Sequence, residues 1–217
     1  MASKNDKFIP ALSFDFLTPL YDPVVALTTR EKAFKSELVR QADLKPGERA
    51  LDLACGTATL TIALKNNCPQ AEIFGLDGDS KILELARRKV EKAGLEITLD
   101  AGLSYEMPYA DGYFDMVVSS LFFHHLTPEN KQRTLSEVLR VLKLGGVLLI
   151  ADWGKPANLL MKIASKPVEW LDGATTKDSY AGKLPGLIEN AGFIKVVETV
   201  SFSSVFGTIR MYRAEKR

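Results

Sequence analysis

The chain has 217 residues, of which 46% are hydrophobic and 25% are charged, values close to those of an average folded protein. This composition excludes disordered, collagen-like and fibrous proteins. The 28 lysines and arginines nearly balance the 27 aspartates and glutamates, so the molecule as a whole has little attraction for a phosphate backbone. We therefore expect no nucleic-acid partner, although charge balance alone leaves a local basic patch open.

The cysteine content and the apolar runs bear on the compartment. Cys55 and Cys68 are too few for a disulfide scaffold or a zinc site, which suits a reducing compartment. The longest apolar runs, such as 147–151, are far shorter than the roughly 20 residues that span a bilayer. No apolar block of signal-peptide length follows the first lysines. We expect a cytoplasmic protein with no membrane span, no export signal and no metal.

Strand-like and helix-like stretches alternate after about residue 48, which predicts a parallel sheet covered by helices on both faces. The predicted strands are 48–54, 71–77, 95–101, 113–123 and 147–152, and the predicted helices are 57–65, 80–93, 128–142 and 184–190. Two further stretches, 193–200 and 205–214, predict a terminal hairpin that gives the sheet an antiparallel edge. The predicted fold class is α/β, with a doubly wound, mostly parallel sheet of seven strands.

Two segments lie outside this alternation. Residues 1–43 combine an aromatic stretch with an amphipathic helix, and they predict a helical lid on a domain formed by residues 44–217. Residues 153–180 are long for a connection in an α/β domain, and such connections are commonly functional or disordered. Within them, 157–168 predicts either an apolar cap or a segment buried against the sheet.

The loop after the first predicted strand has the features of a nucleoside site. A strand, a tight loop and a helix follow one another in ALDLACGTATLTIAL, and this order turns backbone N–H groups towards a ligand. Gly56 removes a side chain from the approach, and Asp52 offers a carboxylate to a ligand ammonium group. Asp77 ends the second strand, where a carboxylate can hold both ribose hydroxyls. Only one glycine of the dinucleotide motif is present, which argues against a pyrophosphate ligand.

Five segments in order resemble the class I S-adenosylmethionine-dependent methyltransferases, and among them the ubiquinone and menaquinone C-methyltransferase branch. The first lies in LKPGERALDLACGTATLTIAL, the second in GLDGDSKILELARRK, the third and fourth in MPYADGYFDMVVSSLFFHHL, and the fifth in VLKLGGVLLIADW. The resemblance covers residues 15–152. It implies a Rossmann-like fold and S-adenosylmethionine as the cofactor. It also implies methyl transfer to a small apolar or aromatic acceptor, such as a quinone or phenol, at carbon or at oxygen.

The resemblance further implies a set of cofactor-binding residues at the strand ends and in the lid. They are Tyr21 in the lid, Asp52, Ala54, Cys55, Gly56 and Thr57 in the first loop, Asp77 and Gly78 in the second, Gly102, Leu103 and Ser104 in the third, and Ser119 and Leu121 after the fourth strand. Thr57 is expected near the methionine carboxylate, which Arg30 could also reach. Cys55 is expected to be a small loop residue and not a nucleophile, because no basic residue adjoins it.

Three positions depart from the usual pattern of the family. Ala54 and Ala58 stand where many relatives have glycine, and their methyl groups are tolerable where the role is helix packing. Leu103 stands where the family commonly has an aspartate that accepts a hydrogen bond from the adenine amino group. Either Ser104 or the backbone takes that role, or the affinity for the cofactor is lower.

Both histidines of the chain lie in SSLFFHHL, after the fourth strand, where sheets of this kind bind ligands. Because His124 and His125 are adjacent, they cannot face the same way. His124 is the predicted catalytic residue, a general base for a phenol or an activated carbon; the alternative is that one histidine caps or packs near the next helix. Trp153 either lines an acceptor pocket or fills the core.

Other functions remain open at this stage. A non-catalytic protein that binds S-adenosylmethionine or its demethylated product would carry the same acids, and a nucleotide-dependent oxidoreductase is disfavoured only by the missing glycines. The segment after the fourth strand lacks the Asn/Asp-Pro-Pro-aromatic turn of enzymes that methylate nucleic-acid amino groups. We expect a small-molecule substrate, and the sequence leaves a homodimer open.

Overall fold

A seven-stranded sheet forms the centre of the computed structural model, which describes residues 31–164, 177–204 and 207–217. The order of the strands is β3-β2-β1-β4-β5-β7-β6. Their bounds are β1 Arg49–Leu53, β2 Glu72–Asp77, β3 Thr98–Ala101, β4 Phe114–Ser120, β5 Leu142–Gly154, β6 Ile194–Ser204 and β7 Gly207–Glu215. Strands β1 to β5 pair in parallel, and β7 is antiparallel to both of its neighbours. The predicted α/β fold class is confirmed.

Seven helices flank this sheet in the described ranges. They are α1 Glu31–Ala42, α2 Thr59–Asn67, α3 Ser80–Ala93, α4 Pro128–Val141, α5 Leu159–Ala164, α6 Lys177–Tyr180 and α7 Leu184–Asn190. The ends of α3 are those the sequence predicts, because the Asp79 side chain accepts hydrogen bonds at its start and Gly94 adopts a left-handed conformation at its end. Thr127 caps α4 in the same way.

The terminal hairpin forms an antiparallel edge of the sheet, as predicted. Strand β7, which is antiparallel, lies inside the sheet between β5 and β6, and the edge strand is β6. Pairing of β7 with β5 is continuous from Val147–Glu215 to Gly154–Thr208, whereas β6 pairs with β7 through two register shifts and is largely exposed. The better hydrogen-bonded strand therefore takes the inner position.

The core has two main parts, one on each face of the sheet. Helix α1 contributes Phe34 and Leu38 to the first, which also contains Leu60 from α2 and Leu149 from β5. The described part of the predicted lid is thus packed on the sheet domain. Residues 1–30, with Tyr21 and Arg30, lie outside the described residues, so the division at residue 43 stays a prediction.

Strand β2 packs closely against the loop that follows β1. A Cβ atom added to Gly75 would lie 2.7 Å from Leu99 Cδ2 and 2.9 Å from Cys55 Sγ, whereas one added to Gly186, in α7, would meet no atom within 4 Å. These two glycines form a matched pair for substitution.

We expect Gly75→Ala to lower the free energy of unfolding by about 1–3 kcal/mol, because the added methyl group displaces packed side chains. Gly186→Ala should raise it by about 0.5–1 kcal/mol, because alanine loses less backbone entropy in a helix. Urea denaturation of both variants measures the difference. Equal stability of the parent and Gly75→Ala would contradict the close packing.

Candidate active site

Acidic residues at the carboxyl ends of neighbouring strands define the candidate site. Asp52 lies in β1, Asp77 ends β2, Asp152 lies near the end of β5, and His124 lies in a short 3-10 turn after β4. The order β2-β1-β4-β5 brings these residues to one edge of the sheet. Asp152 is not among the predicted site residues, although an acid at the end of VLLIAD is the same signal that marked Asp52 and Asp77.

The Asp77 carboxylate joins two of the site loops. Its Oδ2 accepts a hydrogen bond from the Gly56 N–H and its Oδ1 accepts one from the Asp79 N–H, each at 2.9 Å. The Asp77 carbonyl accepts a third from the Gly102 N–H at 3.0 Å, which attaches the loop after β3. Burial raises the pKa of Asp77 although these N–H groups act in the opposite direction. The loops after β1, β2 and β3 therefore form one connected surface, with Gly78 exposed on it.

The first loop turns sharply because three alternate residues adopt left-handed conformations. Their φ angles are 59° at Ala54, 55° at Gly56 and 61° at Ala58. Helix packing, the expected reason for a methyl group here, applies to Ala58, which is buried with Ala86 and Val90. The backbone adds a cost that the sequence did not indicate, because a non-glycine residue in this region is disfavoured by about 1–2 kcal/mol. The space beside Gly56 is open, since an added Cβ would meet no atom within 4 Å.

Asp52 is buried with one oxygen unused. Its Oδ2 accepts a hydrogen bond from Thr61 Oγ1 at 2.7 Å, whereas Oδ1 has no hydrogen-bond partner among the described residues. The pKa of Asp52 is raised to about 6, mainly by burial and to a smaller extent by the charge of Asp77. The Thr61 hydrogen bond and the charge of Lys35 act in the opposite direction. A buried carboxylate oxygen without a donor suits a cationic group of a ligand.

Two other predicted residues of the first loop are engaged by the protein. Thr57 Oγ1 accepts a hydrogen bond at 3.4 Å from Lys89 Nζ, which also donates to Thr59 Oγ1 at 2.6 Å. Cys55 is buried, and burial raises the pKa of its thiol. Such a thiol is inert, in agreement with the predicted role of Cys55 as a small loop residue.

The residues predicted after β3 and β4 also have partners within the chain. Ser104 Oγ lies 2.9 Å from Thr134 Oγ1 of α4, so its hydroxyl is already hydrogen-bonded to the protein. Ser119 is buried and donates to the Leu53 carbonyl at 3.0 Å, which ties β4 to β1. Leu103 is half-buried and brings no side-chain acceptor to this edge.

Leu121 has an unusual backbone. It follows β4 with φ at 52°, and its N–H donates to the Ala151 carbonyl at 2.8 Å. A bulky side chain rarely adopts this conformation, and residues that do so concentrate at functional sites. The strained residue immediately precedes the turn that carries His124.

His124 and Asp152 form a buried pair. His124 Nδ1 lies 2.6 Å from Asp152 Oδ1, and the His124 N–H donates to Asp152 Oδ2 at 3.2 Å. The Trp153 N–H also donates to Oδ1, at 2.7 Å. Burial acts to raise the pKa of Asp152, but His124 and these hydrogen bonds outweigh it, and the pKa is lowered. Asp152 is therefore an ionised carboxylate at neutral pH.

The surroundings of this pair are aromatic. The His125 ring lies 3.9 Å from the His124 ring, centre to centre, and burial together with the neighbouring His124 lowers the pKa of His125 to about 3. Trp153 lies 6.4 Å from His124 and stacks on Tyr180 at 6.4 Å. Trp153 belongs to the buried core, which is one of its two predicted roles, and its ring also adjoins His124. Its role in an acceptor pocket stays a prediction.

A groove of about 340 Å³ lies at the other end of the strands, beside the amino ends of β1, β4 and β5. Its lining includes the ion pair of Lys143 with Asp115 and the exposed Leu144. None of the predicted site residues lies there, so the groove is separate from the candidate site. No helix in the described ranges is both long and apolar enough to cross a bilayer.

Comparison with known proteins supports a methyltransferase. Residues 50–146 match the family model described as a methyltransferase domain. The chain is 30% identical over 210 residues to the demethylmenaquinone methyltransferase of Lactobacillus johnsonii, covering 86% of this chain and 85% of that protein. It is 35% identical over 150 residues to the enzyme of that name from Bacillus cytotoxicus, covering 67% of this chain and 62% of that protein.

The fold agrees with this similarity. A crystal structure of a SAM-dependent methyltransferase from Aquifex aeolicus superposes with a TM-score of 0.67 at 20% identity, over 94% of this chain and all of that one. The chain belongs to the class I S-adenosylmethionine-dependent methyltransferases. Within that class its relatives include the demethylmenaquinone enzymes of Lactobacillus and Bacillus. The predicted family and enzyme class, and S-adenosylmethionine as the cofactor, are confirmed.

The residues present fit this cofactor. The methionine part of S-adenosylmethionine carries an ammonium group, which is the type of group that the unpartnered Asp52 Oδ1 requires. Gly56 leaves open space beside the loop, and Asp77 carries a carboxylate at the end of β2. The individual contacts stay predictions, and the titration of Asp52 tests the first of them.

We expect the affinity for S-adenosylhomocysteine to be constant above about pH 7 and to fall by roughly tenfold by pH 5. The ammonium group binds the ionised form of Asp52, and a pKa raised to about 6 means that protonation removes this form as the pH falls through 6. Isothermal titration calorimetry across this range measures the effect. Asp52→Asn should bind S-adenosylhomocysteine more weakly at pH 7.5, and its affinity should no longer depend on pH. Asp43→Asn, which changes an exposed acid, should keep the affinity and the pH dependence of the parent. An affinity in the parent that is the same at pH 7.5 and pH 5 would contradict the assignment.

Proposed function

We propose that this protein transfers a methyl group from S-adenosylmethionine to a small hydroxylated aromatic acceptor, a quinol or phenol. The observation that carries this proposal is the His124–Asp152 pair beside Trp153. His124 follows β4, which is the neighbour of β1, and the loop after β1 is one of those proposed to bind the cofactor. An aromatic wall and a buried base suit an aromatic acceptor with a removable proton. The names of the Lactobacillus and Bacillus relatives support a quinone-derived substrate.

Binding and positioning are the main tasks of the protein in this reaction. The cofactor, when bound, supplies a methyl group already activated by a sulfonium centre. We propose that Asp52 holds its ammonium group, Asp77 its ribose hydroxyls, and Gly56 leaves room for its approach. Alignment of two reactants contributes as much as about 7–11 kcal/mol to a reaction. Buried side chains, Phe123 and His124 after β4 and Trp153 at the end of β5, keep water from the acceptor.

The two sides of the site use different strands. Loops after β1, β2 and β3 are joined through Asp77 and carry the residues proposed for the cofactor. The turn after β4 and the end of β5 carry His124 and Asp152. Neighbouring parallel strands are about 4.8 Å apart, so β1 and β5 are separated by roughly 10 Å. This separation leaves room for an acceptor beside the methionine end of the cofactor.

Transfer of a labelled methyl group tests the function directly. The purified chain is incubated with methyl-labelled S-adenosylmethionine and a panel of naphthoquinols, phenols and aliphatic amines, and the products are separated by chromatography. We expect label in quinols or phenols and none in amines. Binding of S-adenosylhomocysteine without transfer to any of them would favour a non-catalytic binding protein.

We expect Asp77→Asn to weaken S-adenosylhomocysteine binding by roughly 10- to 150-fold, because charged hydrogen bonds to the ribose are each worth about 1.5–3 kcal/mol. The variant should also be less stable, since the amide cannot accept at both of its former oxygens from Gly56 and Asp79. Calorimetry and urea denaturation measure the two effects. Asp111→Asn, at an exposed acid outside the site, should change neither, and an unchanged affinity in Asp77→Asn would overturn the assignment.

A further inference from the structure

The Asp152 carboxylate of the His124–Asp152 pair accepts three hydrogen bonds. Oδ1 accepts from the His124 ring at 2.6 Å and from the Trp153 N–H at 2.7 Å, and Oδ2 accepts from the His124 N–H at 3.2 Å. The two side chains are 5% and 0% exposed. Because an ionised carboxylate only accepts hydrogen bonds, the imidazole donates from Nδ1. In a neutral imidazole Nε2 then carries the lone pair.

We propose that Asp152 is a positioning residue that holds His124 with Nε2 ready to take the hydroxyl proton of the acceptor, which makes the enzyme specific for ionisable phenols and quinols. This inference rests on the proposed methyl transfer and deepens it. In the described part of the chain His124 Nε2 has no hydrogen-bond partner, so the ring keeps one nitrogen for a ligand. A carboxylate that orients a histidine through its other nitrogen is a common arrangement for a general base.

The turn that carries the pair is fixed from both strands. Asp152 binds both the ring and the backbone of His124, and Leu121 is tied to Ala151 of β5 through its N–H. The left-handed conformation of Leu121 places the turn across the end of β5. These contacts give the ring one orientation, which a base must have before the acceptor arrives.

Other titratable groups of the described residues lie around the pair. His125 lies on the same turn and is neutral above about pH 3. Lys131 of α4 is buried and interacts electrostatically with Asp152 and with Asp178 of α6. Tyr180 of α6 stacks on Trp153. When His124 takes a proton, its new charge faces the Asp152 carboxylate, so the buried pair becomes neutral as a whole.

The proposed step balances as follows. The acceptor O–H bond breaks, an N–H bond forms at His124 Nε2, and the electron pair stays on the acceptor as a phenolate. That pair, at oxygen or at a conjugated ring carbon, forms the bond to the methyl carbon, and the carbon–sulfur bond breaks to leave a neutral thioether. In O-methylation the imidazolium returns its proton to solvent. In C-methylation the ring C–H bond breaks, its proton passes to solvent and its electron pair restores the aromatic ring, while the oxygen regains a proton from Nε2.

The first experiment reads the tautomer without any reaction. The chain contains two histidines, so His125→Gln leaves one imidazole to observe. Long-range proton–nitrogen NMR of this variant at pH 8, with S-adenosylhomocysteine bound, should show His124 protonated at Nδ1 and unprotonated at Nε2. The opposite tautomer, or a mixture of the two, would overturn the proposal.

The second experiment measures catalysis on a series of phenols of graded acidity. Relative to the parent, His124→Gln and Asp152→Asn should lower kcat by at least 100-fold for weakly acidic phenols and by much less for phenols that are ionised in solution. Their affinity for S-adenosylhomocysteine should stay within about threefold of the parent value. His125→Gln is the matched control and should keep the parent dependence on acidity.

The outcomes separate the two proposals. If the parent methylates no phenol or quinol, the proposed function fails. If the parent is active and His124→Gln keeps its kcat, or loses the same factor for every phenol, the function stands and the base assignment is wrong. If either variant at the pair fails to fold, the tautomer in His125→Gln still decides the matter.

Discussion

The site depends on the hydrogen bonds that the Asp77 carboxylate accepts from the loops around it. The carboxylate accepts one hydrogen bond from an N–H of the loop after β1 and one from an N–H of the loop after β2. The main-chain carbonyl of Asp77 accepts a third from the loop after β3. Three segments that are far apart in sequence thereby become one surface. The carboxylate is also the group proposed to bind ribose, so the same residue that assembles the loops would receive the ligand. A change at Asp77 is therefore expected to affect stability and binding together.

The site contains two buried acids that the protein compensates to different extents. Asp52 has one oxygen without a donor in the described ranges, and burial raises its pKa. Asp152 is equally buried, but three donors surround it and its pKa is lowered. The difference lies in the partners and not in the depth of burial. Asp52 lacks a donor that a ligand can provide, whereas Asp152 has its partner within the chain.

This contrast divides the candidate site into a proposed binding side and a proposed reacting side. On the binding side, positive φ angles at Ala54 and Ala58 show that the loop accepts backbone strain to make its sharp turn. On the reacting side, the strain at Leu121 accompanies the turn that presents His124. Strain at both places is held by packing and hydrogen bonds elsewhere in the sheet.

Local signals in the sequence determined the elements and the acids at their ends. The alternation of apolar stretches predicts the sheet, and Asp79 and Gly94 fix the ends of α3 because caps act within a few residues. Asp52 and Asp77 could be placed at one edge because parallel strands share a direction. The family motifs covered residues 15–152, and the fold and cofactor class followed from them.

Only the tertiary structure decided how those parts meet. The contact of His124 with Asp152 requires β4 and β5 to be neighbours, and no short-range pattern encodes a hydrogen bond between residues 28 positions apart. The left-handed backbone at Ala54 and Ala58 could not be read from alanine, a residue that normally avoids it. The inner position of β7 depends on its continuous pairing with β5, which is a property of two strands and not of either sequence alone.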